Sequence, residues 1–319
     1  MAARDTTELT DITKMKREAD GSFKRVTSDF RNFIEKDGKF PPEKDRYHLY
    51  ISYTCPWATR TVIVRKLKGL EDIISMTVVS PRMGSNGWAF GNIDEFPGAE
   101  ADPLFNSSYI KELYFRADPN YASRFTVPVL WDKKLNTVVN NESSEIIRMF
   151  NTAFNGLLPA DKAKLDLYPE ESRAEIDTLN EWVYSDINNG VYKSGFATQQ
   201  AAYEKAVTEL FGALDKIEDI LTGKDYLVGG RLTEADVRLF VTIIRFDPAY
   251  VGQFKCNIRT IRDGYPAVHS WLRKLYWTVP AFKDSTFFDH IKTGYYGSMA
   301  NINPTGIIPV GPLPHILPL

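Results

Sequence analysis

The sequence is poor in the features that define disulfide-rich, secreted and membrane proteins. Only two cysteines occur in 319 residues, which argues against a disulfide framework and favours a reducing compartment. No stretch approaches the roughly 18 consecutive apolar residues of a membrane span. The first residues mix acidic and basic side chains without the apolar run of a secretory signal. We therefore expect a cytoplasmic protein with no membrane partner.

The sequence also lacks a large excess of positive or negative charge, and it contains few histidines. The 39 Lys and Arg residues nearly balance the 41 Asp and Glu residues, which leaves a formal net charge of −2. This balance provides no electrostatic footprint for a nucleic acid partner. Only four histidines are present, and none has a recognisable partner motif, which disfavours a Cys-His protease.

The first half of the chain has the pattern of an α/β domain. Residues 46–51 and 73–79 are typical of short buried strands, and the periodic segment between them predicts a helix that ends near Gly69. This βαβ unit implies that the two strands are parallel. The polar, glycine-rich stretch that follows is too long for an ordinary connection, and it predicts an inserted loop near residues 80–110.

A hairpin and a helix are predicted next. The segment VPVLWDKKLNTVVNNESSEIIRMF has the pattern of a strand, a turn, a second strand and a helix that begins within residues 140–144. The order of βαβ unit, inserted segment, β-hairpin and helix is that of the thioredoxin fold. The fold class is therefore expected to be an α/β domain of this kind followed by an all-α domain.

After a linker around residues 155–169, the pattern becomes helical. Thr233 and Asp236 resemble a capping box ahead of an apolar helix. Two sets of apolar residues recur at intervals of three and four: Ile176, Leu179, Val183 and Ile187, then Val207, Leu210, Phe211, Leu214, Ile217 and Leu221. The predicted divisions are an N-terminal extension (1–45), a thioredoxin-like domain (46–155), an all-helical domain (168–290) and a proline-rich tail (291–319).

The last nineteen residues contain five prolines and many aliphatic side chains. Proline excludes a helix or a central strand, and a disordered tail would be less apolar. We expect an extended strap that buries its aliphatic side chains on the body of the protein. The strap would anchor a turn at residues 294–297.

Cys55 lies where the first predicted strand meets the first predicted helix. Pro56 suits the first helical turn because its missing N–H would have no partner there, and the helix dipole favours negative charge at this end. A cysteine in this position has a thiol pKa lowered to about 3.5 to 7.5. We therefore predict that Cys55 is a reactive thiolate, whereas Cys256 has no comparable setting and is predicted to be structural.

The chemistry expected of Cys55 follows from the residues around it. Ala58 stands where a Cys-x-x-Cys dithiol has its second cysteine, so an intramolecular disulfide is excluded. A monothiol must pass its mixed disulfide to an external thiol, and the abundant cytosolic thiol is glutathione. Pro128 opens a predicted strand and is expected to be cis in the thioredoxin arrangement, which would place the Val127 backbone beside the sulfur.

Glu142 and Ser143 stand at the start of a predicted helix. One interpretation is simple N-capping with an acidic residue in the first turn. The other is a site for a γ-glutamyl group, in which Glu142 pairs with the ammonium while Ser143 and the helix amides bind the carboxylate. The sequence alone leaves both open.

Several motifs together resemble one family. They are Cys-Pro-Trp-Ala-x-Arg from Cys55, Gly-Trp-x-Phe at 87–90, Thr-Val-Pro-Val-Leu-Trp-Asp-Lys, Asn-Asn-Glu-Ser-Ser-Glu, Asn-Asn-Gly-Val-Tyr-Lys, and Gly-Tyr-Tyr-Gly-Ser with the proline-rich tail. In this order, over residues 40–315, they are similar to the glutathionyl-hydroquinone reductases, the Xi class of glutathione transferases.

The resemblance implies a glutathione-binding thioredoxin-like domain, a glutathione-transferase-type helical domain, a homodimer, glutathione as co-substrate and no metal. It assigns the catalytic thiol to Cys55. Glutathione contacts are implied for Trp88, Arg124, Val127, Glu142 and Ser143, with Arg116 as the alternative to Arg124. Hydroquinone contacts are implied for Tyr192 and for one or both of Tyr295 and Tyr296. Helical spacing independently predicts that Tyr192 points away from the apolar stripe of its helix.

The reaction implied is reduction of S-glutathionyl-hydroquinones through a mixed disulfide of Cys55 with glutathione. Two alternatives remain open from the sequence. An omega-like thioltransferase or dehydroascorbate reductase would use the same thiol, and a non-catalytic binding module would keep the fold without a working thiol.

Overall fold

The computed structural model describes residues 18–23 and 25–319, which fall into two compact units. The first unit comprises Val26–Leu165 and Asp289–Ile307. The second comprises the described residues up to Arg25, together with Asp166–Phe288 and Ile308–Leu319. The first 17 residues of the predicted N-terminal extension (1–45) lie outside the described residues.

The first unit is built on a mixed four-stranded sheet. Its strands are β1 (Tyr47–Ile51), β2 (Ser75–Val78), β5 (Val129–Asp132) and β6 (Thr137–Asn140), in the spatial order β2-β1-β5-β6. β1 pairs in parallel with β2, as the predicted βαβ unit requires, and antiparallel with β5. Every residue of β1 is buried, because helices cover the sheet.

This unit contains the two helices that the sequence predicted, which begin at Pro56 and Ser143, and two further helices that it did not predict. They are α1 (Pro56–Leu67), α2 (Ile110–Ala117), α3 (Ser143–Thr152) and α4 (Ala160–Lys164). Gly69 follows α1 with a φ of +66°, a conformation that suits glycine after a helix. The inserted segment contains a short hairpin of β3 (Met83–Gly84) and β4 (Gly87–Trp88). The thioredoxin-like prediction for this half of the chain is confirmed.

The second unit is helical, as predicted. Its helices are α5 (Arg173–Trp182), α6 (Gly190–Phe196), α7 (Gln200–Leu221), α8 (Glu234–Ile243), α9 (Val251–Gln253), α10 (Ile261–Gly264), α11 (Pro266–Thr278) and α12 (Pro280–Lys283). The last helix, α13 (Phe288–Gly297), lies almost wholly in the first unit. Two π-helical segments, Val183–Asn188 and Phe246–Tyr250, interrupt the regular helices.

Apolar periodicity correctly predicted the core of the second unit. All ten residues of the two apolar sets are buried. The capping box is also present, because the Asp236 carboxylate accepts from the Thr233 backbone N–H at 3.0 Å. The same carboxylate accepts from Trp271 Nε1 at 3.0 Å, which ties α8 to α11.

The C-terminal tail docks through its backbone and not through its aliphatic side chains. Residues 298–319 contain no helix or strand, as predicted. The predicted burial of the aliphatic side chains is wrong, since Val310 is 76% exposed and Ile307, Leu313 and Leu319 are similarly exposed. Ile316 is the exception, at 7% exposure.

Donors from the helical unit hold the tail in place. Arg262 donates to the Pro314 carbonyl at 2.6 Å, and Trp277 Nε1 donates to the Leu317 carbonyl at 2.9 Å. The His315 ring stacks on Phe288 with a centroid separation of 4.3 Å. The tail is therefore extended, as predicted, but hydrogen bonds to its carbonyl groups hold it in place rather than burial of its aliphatic side chains.

None of the helices among residues 18–23 and 25–319 has the length and apolar character to cross a bilayer.

Candidate active site

Cys55 lies at the junction that the sequence predicted. β1 ends at Ile51, and α1 begins at Pro56 with Cys55 as its N-cap residue in an extended conformation. The side chain is half-buried. Its thiol donates to the Val127 carbonyl at 3.4 Å, so the sulfur faces the loop before β5. A thiol placed here lies at the positive end of the α1 dipole.

The Val127–Pro128 segment approaches the thiol closely. The peptide bond between these residues is cis, as predicted, and Val127 is 4% exposed. Tyr114 on α2 supports the preceding residue by donating its hydroxyl to the Thr126 carbonyl at 2.9 Å. Burial raises the pKa of Tyr114 to about 12, so this phenol stays protonated and keeps its donor at neutral pH.

Glu142 and Ser143 lie at the start of α3. Glu142 is the N-cap residue, and its carboxylate accepts from the Ser144 backbone N–H at 3.0 Å and from Ser28 Oγ at 3.2 Å. Burial raises the pKa of Glu142, but the Ser144 hydrogen bonds and the charge of Arg60 more than offset this effect and lower it. Glu142 therefore caps α3, as the first interpretation predicted, and its carboxylate is charged at neutral pH.

Arg60 is a member of this cluster to which the sequence assigned no role. Its side chain is 1% exposed, and Nη1 donates to Ser143 Oγ at 3.4 Å. The guanidinium carbon also lies 4.5 Å from the centre of the Trp57 ring. The signal was present in the motif Cys-Pro-Trp-Ala-x-Arg, where Arg60 follows Cys55 by five residues. Pattern alone does not show that α1 packs beside the start of α3.

Helix α13 brings Tyr295 and Tyr296 into the first unit. The predicted turn at residues 294–297 is wrong, because these residues form the last turn of a helix. A Cβ on Gly294 would lie only 2.2 Å from Thr54 Cγ2, so the helix backbone at Gly294 packs directly against the Thr54 side chain. Thr54 also donates its hydroxyl to the His290 carbonyl at 2.8 Å. Both tyrosines are buried, at 2% and 6% exposure.

The remaining predicted glutathione contacts lie in the same unit. Trp88, on β4 of the inserted hairpin, is buried at 8% exposure. Arg124 is half-buried in the loop before β5, and its carbonyl accepts from Tyr121 at 3.0 Å. Arg116, the alternative, is exposed on α2 and stacks at 4.1 Å over Phe105. The choice between Arg124 and Arg116 as a glutathione contact stays a prediction.

Tyr192 lies in the second unit, and the prediction of its orientation is wrong. The ring is 6% exposed and packs at 5.4 Å from Phe254 and 6.1 Å from Phe196. Arg25 lies over its face at 5.0 Å. The spacing argument assumed one regular α-helix from residue 176 to residue 192. The π-helical segment has wider turns, and it changes the angular position of every residue after it.

Cys256 is fully buried in the second unit, and burial raises the pKa of its thiol to about 12. The structural role predicted for it agrees with this environment. Within the described part of the chain, no group of three or more His, Cys, Asp or Glu side chains is arranged to hold a metal ion.

Comparison with known proteins identifies the family. Residues 54–153 match the N-terminal domain of glutathione S-transferases, and residues 200–274 match the C-terminal domain. Glutathione S-transferase omega-like 2 of Schizosaccharomyces pombe is 56% identical over 93% of this chain and 95% of its own length. Glutathionyl-hydroquinone reductase YqjG of Escherichia coli is 52% identical over 92% of this chain and 89% of its own.

Solved structures of similar proteins support the same family assignment. The crystal structure of glutathione-S-transferase Xi from Phanerochaete chrysosporium superposes with a TM-score of 0.96 at 68% identity, over 98% of this chain and 100% of that one. The glutathione-bound structure of YqjG has a TM-score of 0.86 at 50% identity, over 94% and 96% of the two chains. The chain belongs to the glutathionyl-hydroquinone reductases, the Xi class of glutathione transferases.

In this Xi-class protein, the inserted segment is tied to the helix that carries the tyrosines. The His290 ring hydrogen-bonds through Nε2 to the Pro97 carbonyl at 2.7 Å and packs edge-to-face on Phe96. Burial lowers the pKa of His290, so the ring is neutral at physiological pH and donates to this carbonyl. At the other end of α13, Ser298 Oγ accepts from the Met83 backbone N–H at 3.0 Å.

The contact between Gly294 and Thr54 predicts that Gly294→Ala destabilises the protein. The new methyl group must displace the residue that precedes Cys55, and overpacking of this kind costs about 1–3 kcal/mol. Urea denaturation measures the loss. Alkylation of Cys55 by iodoacetamide reports whether the thiol has moved.

Gly297→Ala is the matched control, because it lies on the same helix and its Cβ would meet only Thr293, at 3.9 Å. This variant should be neutral or slightly stabilising, since alanine is the better helix former. Equal stability of the two variants would contradict the close approach at Thr54.

Proposed function

We propose that this protein catalyses the glutathione-dependent reduction of S-glutathionyl-hydroquinones to hydroquinones. The observation that carries the proposal is a single cysteine at the start of α1, beside the Val127 carbonyl at 3.4 Å, with Ala58 at the position of a second thiol. Such a site performs monothiol exchange. The names of YqjG and of a second reductase, PcpF of Sphingobium chlorophenolicum, which is 48% identical, support the substrate class.

The proposed reaction consists of two thiol exchanges. The Cys55 thiolate attacks the sulfur of the glutathionyl group, forms a Cys55–glutathione disulfide and breaks the bond between sulfur and the ring carbon. The electron pair remains on the ring carbon, which takes up a proton, and hydroquinone leaves. A glutathione thiolate then attacks the mixed disulfide, releases oxidised glutathione and restores the Cys55 thiolate.

Glutathione is proposed to bind along one side of the first unit. The Val127 backbone would pair with the peptide part of glutathione in the manner of an added strand. Glu142 would pair with the γ-glutamyl ammonium, and Ser143 with the N–H groups at the start of α3 would bind the carboxylate. Trp88 and Arg124 complete the proposed set. The glutathione-bound structure of YqjG supports the choice of this ligand.

The hydroquinone is proposed to contact Tyr192 and one or both of Tyr295 and Tyr296. A phenol hydroxyl can hydrogen-bond a hydroquinone oxygen and assist the proton transfer to the ring. Both Tyr295 and Tyr296 lie on α13, whose Gly294 packs against the residue before Cys55. Tyr192 lies within an aromatic cluster of the second unit, and its role stays a prediction.

A second candidate function is an omega-like thioltransferase or dehydroascorbate reductase. The observation that favours it is the name omega-like 2 carried by the relative that is 56% identical. Both candidates use Cys55 in the same way, so only the substrate separates them. The non-catalytic alternative is disfavoured, because two relatives about 50% identical over most of the chain are named reductases.

Replacing the thiol tests the proposal. Cys55→Ser should lower turnover of a glutathionyl-hydroquinone by on the order of 10³-fold or more, because the nucleophile is removed. Mass spectrometry of the wild type during turnover should detect a glutathione adduct on Cys55. Steady-state assays with a glutathionyl-hydroquinone and with dehydroascorbate distinguish the two candidates.

Cys256→Ser is the control, since this thiol is fully buried and should leave turnover unchanged. Equal turnover by wild type and Cys55→Ser would rule out the mechanism. Faster turnover of dehydroascorbate than of glutathionyl-hydroquinone would favour the second candidate.

Glu142→Gln should weaken glutathione binding roughly ten- to hundred-fold, the usual loss when a hydrogen bond between charged groups is removed. Because the folded protein lowers the pKa of Glu142 below its usual 4.5, most of the carboxylate is charged above that pH. Its contribution to affinity should therefore be full at pH 7 and should be lost as the pH falls through the lowered pKa. Calorimetric titration of both proteins with glutathione measures this difference.

Glu145→Gln is a matched control on the same helix, because the Glu145 side chain pairs with Arg31 and Asn140. It should bind glutathione as the wild type does. If the difference between wild type and Glu142→Gln disappears well above pH 4.5, the assignment of Glu142 is wrong.

A further inference from the structure

Arg60 is a buried cation that the proposed reaction does not yet use. It lies on α1, five residues after Cys55, and is 1% exposed. Moving a guanidinium group out of water is costly unless neighbouring groups compensate for the charge. The neighbours of Arg60 therefore show what the charge is for.

Two elements of the candidate site surround the guanidinium. Its carbon lies 4.5 Å from the centre of the Trp57 ring, a cation–π contact that holds the group in place. Its Nη1 donates to Ser143 Oγ at 3.4 Å. Burial has the largest effect on the pKa of Glu142 and raises it. The Ser144 hydrogen bonds lower this pKa, and the charge of Arg60 lowers it further by a smaller amount.

The contact with Ser143 has a consequence for ligand binding. A serine hydroxyl accepts through its lone pairs and has one proton to donate. When Ser143 accepts from Arg60, its own O–H is directed away from the guanidinium and toward another acceptor. A γ-glutamyl carboxylate at the start of α3 is such an acceptor.

We propose that Arg60 is a positioning residue for glutathione, which orients the Ser143 hydroxyl toward the γ-glutamyl carboxylate and balances the charge of Glu142. This inference rests on the proposed function, because it assumes that glutathione occupies the start of α3. Arg60 acts through Ser143 and Glu142 and is not itself required to touch the reacting sulfur.

A double-mutant cycle on the full chain tests this role. Arg60→Met should raise the calorimetric Kd for glutathione roughly ten-fold, a change expected from the loss of one hydrogen bond to a charged group. Arg60→Lys, which keeps the charge, should recover part of the affinity. In a protein that already carries Ser143→Ala, Arg60→Met should raise the Kd by a clearly smaller factor than it does in the wild type, because both changes act on one hydroxyl.

Arg65→Met is a matched control for the loss of a buried arginine from α1. Arg65 is 7% exposed and donates to the Ile74 carbonyl at 2.7 Å and the Glu71 carbonyl at 3.1 Å. Its replacement should lower the melting temperature and leave the Kd for glutathione unchanged. If Arg60→Met does not fold, the same cycle with Arg60→Lys in its place decides the question.

An unchanged Kd in Arg60→Met, or a full additive loss in the double variant, would overturn the positioning role. The proposed function has a separate readout, because the wild type is assayed for turnover of a glutathionyl-hydroquinone. Wild-type turnover with an unchanged Kd in Arg60→Met would contradict only the role of Arg60. Coupled loss of glutathione affinity without any wild-type turnover would contradict only the reaction.

Discussion

The close packing of the Gly294 backbone on the Thr54 side chain constrains the residue that precedes Cys55. The Gly294 backbone reaches the Thr54 side chain because it lacks a Cβ, and the Thr54 hydroxyl donates to the His290 carbonyl across 236 residues of sequence. The residue before the thiol is therefore held from the far end of the chain. From the other side, the Val127 carbonyl lies 3.4 Å from the sulfur. The role proposed for Cys55 as the nucleophile needs this kind of support, since the geometry of a reacting group must be set before the substrate arrives.

Buried charge adds a second constraint to the same region. Arg60 is almost fully buried, and Glu142 is half-buried within hydrogen bonds from Ser28 and Ser144. Replacing buried ionic groups by apolar residues is often neutral or stabilising, so stability alone does not explain why a core-facing helix carries an arginine. The proposed binding of glutathione at the start of α3 would explain it, because Arg60 contacts Ser143 and its charge helps to keep the Glu142 carboxylate ionised.

Local patterns predicted most of the fold, and contacts distant in sequence account for what they missed. The βαβ unit, the hairpin and the buried faces of α5 and α7 follow from spacing within a few turns. The start of α1 at Cys55 was predicted for the same reason. The orientation of Tyr192 was not, because the π-helical segment Val183–Asn188 leaves no signature in apolar spacing. The contacts of Gly294 and Arg60 depend on which helix packs beside which, and local spacing and motifs do not show this.

The tail shows how composition can predict a correct placement for an incorrect reason. Its aliphatic content predicted docking by apolar burial, yet Val310, Leu313 and Leu319 are exposed. Its five prolines have no backbone N–H, so the segment has more carbonyl acceptors than N–H donors. The helical unit supplies the donors from arginine and tryptophan side chains, including Arg262 and Trp277. Because proline also restricts the unfolded chain, such hydrogen bonds can hold an extended segment most of whose aliphatic side chains remain exposed.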